Sequence, residues 1–187
     1  MPGEYLDLAT ERVNARWPGY RQPEEFGYDF RDWVSPYTKG AHRLHGIALV
    51  LQDWSSADSL SGGPDPGIQI HGREVGRRTN RILDELLSRV LHLSLADVYG
   101  FSVHQARRIS SRVLGKDVTA AVQQFTRREL EIANPTMILA LGRVPYTALH
   151  RIGIDCYKLP HPAARIAIDA HERAWRAALE LPADRNW

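Results

Sequence analysis

The stretch GIALVLQDWSSAD, Gly46 to Asp58, decides how the rest of the chain is read. Ile47 to Leu51 is a continuous apolar run of strand length, and it delivers Gln52, Asp53 and Trp54 straight into a segment rich in Ser, Gly, Asp and Pro that extends to Gly76. An unbroken apolar run marks a strand covered on both faces, as in a parallel sheet. Ligands of such sheets bind beyond the carboxyl ends of the strands, which is where Asp53 falls.

Working outward, the periodicity alternates between helix and strand. Ile82, Leu83, Leu86, Leu87, Val90 and Leu91 recur at helical spacing, with Arg81, Glu85 and Arg89 on the opposite face. Leu95 to Ser102 is strand-like. A second amphipathic helix turns Val118, Ala121, Val122, Phe125, Ile132 and Ala133 inward, with Asp117 as its expected N-cap and Asn134-Pro135 as its stop. Thr136 to Gly142 is another buried strand, Asp155 to Leu159 a shorter one, and Ile166 to Leu181 a closing helix. This order predicts a three-layer α/β/α architecture with a central, mainly four-stranded parallel sheet and right-handed crossovers. The whole chain, 1–187, reads as one domain without repeats or linkers, with residues 1–41, rich in Pro, Trp and Tyr, wrapping the core.

Composition narrows the classes. With 43% hydrophobic residues in 187, the chain can bury a sizeable core. No run approaches the roughly 18 apolar residues of a membrane span, and the opening MPGEYLDLATERV carries acids where a secretory signal has a basic flank. A soluble, monomeric protein of the cytoplasm is the expectation. Cys156 is the single cysteine, so an intrachain disulfide and a four-thiolate cluster are excluded, and a core thiol is expected. His42-x-x-His45 lacks companions at ligand spacing, so no metal is expected, and no glycine-rich nucleotide fingerprint occurs. No cofactor is expected. Only three of the 24 basic residues are lysines. The arginines cluster at 73, 77, 78 and 81 and at 107, 108 and 112, which suits bidentate phosphate contacts or an ordinary solvated face.

The residues that follow the strands are Gln52-Asp53-Trp54, Ser102-Val103-His104, Gly142-Arg143 and His161-Pro162. An acid and a histidine more than 100 positions apart thus converge on one sheet edge. LVLQDW resembles the first motif of the uracil-DNA glycosylase superfamily, a glycine-glutamine-aspartate-proline-tyrosine run after the first strand, and LPHPAAR resembles the second, a histidine-proline pair followed by small residues and a wedge residue. GRRTNRILDELL and NPTMILALGRVPYTAL resemble the helix, third strand and turn between them, so that the likeness spans Gly46 to Arg165 in the family's order.

The resemblance implies hydrolysis of the bond between a DNA base and its deoxyribose. Positive charge develops on the sugar and negative charge on the leaving base, so an anion near the first and a donor near the second are needed. It implies Asp53 as the group that positions water and stabilises the sugar cation, and His161 as the donor to the base carbonyl. A base pocket of Gln52, Trp54, Ser55, His71 and Ser102 is implied, with DNA contacts from Arg77, Arg78, Asn80 and Arg143, and Arg165 filling the gap left by the flipped base. Each residue also has a plainer reading: Asp53 as a turn or cap aspartate, His161-Pro162 as a structural turn, Trp54 as a packing residue. The departures from the family are informative. Ser55 stands near the place of a tyrosine that crowds C5 of the pyrimidine, and Ser102 near that of an asparagine that reads the base edge. The expected substrate is therefore a 5-substituted pyrimidine, such as hydroxymethylated or glucosylated cytosine of phage DNA, excised in antiviral defence. Uracil or deaminated-base repair and a noncatalytic base-binding module are the alternatives.

Overall fold

The computed structural model describes residues 3–29, 31, 45–54, 60, 63–104, 107–108 and 115–181, with Asp53, Val103, His104, Arg107 and Arg108 described by their backbone. Its helices are α1 (Gly3–Asn14), α2 (Pro66–His71), α3 (Arg78–Leu91), α4 (Gly115–Ala121), α5 (Arg127–Ala133), α6 (Arg143–Arg151) and α7 (Ile168–Ala178). Its strands are β1 (Tyr20–Arg21), β2 (Ile47–Asp53), β3 (Tyr99–His104), β4 (Arg107–Arg108), β5 (Met137–Leu141) and β6 (Tyr157–Leu159). The central sheet has the order β3-β2-β5-β6, and every pairing in it is parallel. No helix among the described residues is long and apolar enough to cross a membrane.

Alternation along the strands divides the core into two layers. Ala48, Val50, Tyr99, Phe101 and Ala140 face α1, α4, α5 and α6 through Tyr5, Val118, Leu130 and Leu149. Leu49, Leu51, Leu139, Leu141 and Leu159 face α3 and α7 through Leu83, Leu86, Leu87 and Trp175. Both faces of the central strands are therefore dry, which is why Ile47 to Leu51 shows no polar alternation. Each fully buried aliphatic side chain contributes about 1.5–3 kcal/mol.

Three elements depart from expectation. β3 starts at Tyr99 rather than Leu95, because the Asp97 carboxylate accepts bonds from the Ser94 amide and hydroxyl and closes a turn first, while the Leu95 amide donates to Asp84. Asp117 does not cap a helix: α4 begins at Gly115, and the Asp117 carboxylate accepts the Tyr20 hydroxyl at 2.7 Å. A π-helical turn, Val122–Thr126, joins α4 to α5. The residues from Arg143 to Leu149, read as a turn, belong to α6 (Arg143–Arg151), which buries Pro145, Ala148 and Leu149.

The N-terminal segment is structured where it is described. α1 buries Tyr5, Leu8 and Ala9 and carries Arg12, whose guanidinium lies 2.6 Å from the Glu129 carboxylate on α5. The Tyr99 hydroxyl donates to the same carboxylate oxygen at 2.8 Å. Burial works against the charge of Arg12, but Glu129 and Tyr99 more than offset it and hold its pKa above the ordinary value. Farther on, Phe26 and Tyr28 pack with Trp54, Leu60 and Ile68 into a third cluster. Cys156 is half-buried at the edge of the core, and burial, assisted by Asp155, pushes its thiol up to about 11.

Candidate active site

Asp53 closes β2, and His161 follows the end of β6 by two residues, so both stand at the carboxyl edge of the sheet. Leu51 pairs with Ser102, and Leu141 with Leu159, while Val50 pairs with Ala140 directly below. Asp53 lies two residues beyond Leu51, and His161 two residues beyond Leu159, with only β5 between their strands. At about 4.8 Å per strand spacing, β2 and β6 run roughly 10 Å apart. β5 stops at Leu141, and its next residue, Gly142, contributes no side chain to the gap.

Gly142 is built for this place. Its φ of +100° is one that L-residues rarely adopt, and a Cβ there would stand 3.3 Å from the His161 Cβ and 3.6 Å from its Cδ2. The Gly142 amide also donates to the Leu159 carbonyl at 2.8 Å, which ties the end of β5 to the approach to His161. Gly142→Ala is expected to cost about 1–3 kcal/mol through backbone strain and to displace the imidazole. Thermal unfolding checks the first effect and the His161 ring resonances check the second.

The His161 ring is oriented by its own turn. The Ala163 amide donates to Nδ1 at 3.1 Å, and the Ala164 amide donates to the His161 carbonyl at 2.8 Å. A nitrogen that accepts a hydrogen bond carries no proton, so the neutral imidazole bears its proton on Nε2, where it serves as a donor. Hydrogen bonding thus sets the tautomer in which Nε2 is the donor.

Placement sorts the other candidates. Gln52 is partly buried beside Asp53, and Ser55 lies outside the described residues. Trp54 packs instead of offering a ring face. It is 6% exposed, its Nε1 donates to the Gly72 carbonyl at 2.8 Å, and its ring meets Tyr28 edge-on at 5.3 Å. Ser102 is level with Leu51, not with Asp53, and its buried Oγ has no partner among the described residues. The β3 residue level with Asp53 is His104. His71 is exposed at the end of α2. Asn80 is buried and donates from Nδ2 to the Glu74 carbonyl at 2.6 Å, closing the turn before α3, so its side chain holds the loop rather than a phosphate.

No family model and no curated protein matches this chain, so the functional reading rests on the site itself.

The edge around that site is basic. Arg78, Arg143 and Arg165 are exposed and form no ion pair among the described residues; Arg77 lies 3.7 Å from Glu74. Arg12, Arg16, Arg89, Arg128 and Arg176 are each matched to an acid elsewhere. Arg151 and Arg173 form no ion pair among the described residues either, so density and location distinguish the edge more than unpairing does. The helices that start here, α3, α6 and α7, have Arg77, Gly142 and Ala167 at their N-caps, and none of these makes a side-chain cap bond. The N-terminus of a helix favours anions. No group of acids, histidines and cysteine suited to a metal occurs among the described residues.

Two contributions were hidden from sequence reasoning. The backbone amides of Ala163 and Ala164 orient His161, and the aromatic cluster of Phe26, Tyr28 and Trp54 supports the loop beyond β2. The first left no side-chain signal, and the second joins segments distant in sequence.

Proposed function

We propose that this protein is a monofunctional DNA glycosylase that hydrolyses the N-glycosidic bond of a flipped-out base and leaves an abasic site. What supports the reading is that Asp53 ends β2 and His161, whose Nδ1 accepts the Ala163 amide and leaves the proton to Nε2, follows β6 at the same edge of the sheet, beside Gly142. On this reading, water adds to C1′ of the sugar as the C1′–N bond breaks, and its proton passes by way of the Asp53 carboxylate to the released base anion. The bonding electrons leave with the base, and the His161 Nε2–H donates to the base carbonyl on which that charge collects. Asp53 positions the water and stabilises the cationic sugar. The arginines and helix N-termini of the edge support a phosphate backbone as the partner.

The substrate class we propose is a 5-substituted pyrimidine of phage-type DNA, since Ser55 and the glycine-rich segment from Ser61 to Gly67 leave little bulk in the sequence beside C5. The test is a panel of single-stranded and duplex DNAs bearing uracil, hypoxanthine, 5-hydroxymethylcytosine or glucosylated cytosine, treated with alkali after incubation. Breaks at the modified cytosine are expected, and breaks at uracil alone would replace defence by repair.

A lyase step needs an amine nucleophile. Lys158 is exposed, with its ammonium 5.4 Å from the centre of the Tyr146 ring, in β6 before the edge that carries His161. Borohydride added during the reaction is expected to trap no covalent protein–DNA adduct, and an adduct lost on Lys158→Ala would show lyase chemistry instead.

A further inference from the structure

One buried group lies just behind this site and takes no part in the chemistry above. His171, in the first turns of α7, is 0% exposed, and its Nε2 lies 3.4 Å from the Ala164 carbonyl oxygen. A carbonyl only accepts, so Nε2 is the donor and Nδ1 is the bare nitrogen of the neutral ring. That Nδ1 is buried without a partner among the described residues. A buried histidine with one long hydrogen bond and one orphaned nitrogen is a poor contributor to stability, because an apolar side chain of similar size would fill the same place without the desolvation cost. What its single polar contact reaches is the turn of His161. Ala164 accepts from His171 through its carbonyl and donates through its amide to the His161 carbonyl, and the preceding residue, Ala163, donates to His161 Nδ1.

We propose that His171 is a positioning residue. From α7 it holds the Ala164 carbonyl, and through the two peptide units that meet at Ala164 it keeps the 161–164 turn in the shape that places the Ala163 amide on His161 Nδ1 and the proton on Nε2. The proposal rests on the glycosylase reading for its effect on rate, but its effect on the His161 ring stands apart from any activity.

The contrast between two substitutions tests it. Leu fills the volume of His171 and donates nothing, whereas Gln places an amide nitrogen near the position of Nε2. In His171→Leu the thermal midpoint is expected to be unchanged or higher and DNA affinity to stay within about twofold, while single-turnover excision falls by at least about fivefold, as small misplacements of a reacting group do. His171→Gln is expected to restore most of the rate. The independent readout is the pair of His161 imidazole nitrogen shifts, assigned by comparison with His161→Ala. The wild-type protein and His171→Gln are expected to show the Nε2–H tautomer, and His171→Leu an averaged pattern of the two tautomers. An unaltered His161 pattern in His171→Leu, or a glutamine variant no closer to wild type than the leucine one, overturns the proposal. If no DNA is excised by any form, the glycosylase reading fails, and the nitrogen shifts still decide the role of His171.

Discussion

Replacing Asp53 by Asn, or His161 by Ala, is expected to slow single-turnover excision by at least about tenfold while leaving folding and DNA affinity near their wild-type values. In the proposed reaction both groups act mainly on charge that exists in the transition state: the amide of Asn would not balance a cationic sugar, and Ala would offer no donor to the departing base. The two losses are not expected to add in the double variant, because both groups stabilise one separation of charge. Binding measured on an uncleaved analogue separates the chemical role from a role in DNA capture. A fall in affinity that accounted for the whole loss of rate would make these residues contacts rather than catalytic groups.

Glu129→Ala is expected to be the most damaging single change to stability. Glu129 is 1% exposed and receives Arg12 at 2.6 Å and the Tyr99 hydroxyl at 2.8 Å. Removing it leaves the Arg12 guanidinium buried without its acid, at a cost of about 3–5 kcal/mol, which for a chain of this size is on the order of 10 °C in the unfolding midpoint. Arg12→Met combined with Glu129→Leu is expected to recover most of the loss, since that pair buries no charge. A melting curve for Glu129→Ala within about 2 °C of wild type would show that water reaches this site and that α1 is not held by the ion pair.

The parts of the fold that were legible in the sequence are those that local pattern controls. Ile47 to Leu51 and Thr136 to Gly142 announce strands covered on both faces, and the spacing from Ile82 to Leu91 announces α3. The all-parallel sheet and its helical layers follow from their alternation. What escaped is controlled by contacts between distant segments. α1 is mostly polar along its length and is held by burial of Tyr5, Leu8 and Arg12 against the core. α6 opens with Pro145 in its first turn, a favourable helix signal that lay too close to the end of β5 to be separated from a turn. At the site, the apolar runs before Asp53 and His161 made it readable that both fall near carboxyl ends of strands, although β2 runs on through Asp53 itself. Register was not readable: that His104 rather than Ser102 stands level with Asp53 depends on where β3 begins, and that was set by the Ser94–Asp97 turn.

The most direct test of the account is the identification of released base by mass spectrometry after incubation of modified DNA with the wild-type protein and with Asp53→Asn. The account predicts that the wild-type protein frees the intact base, one for each alkali-sensitive site formed, and that Asp53→Asn frees at most about a tenth as much in the same time. No free base from any DNA of the panel, or equal release by both proteins, would contradict it.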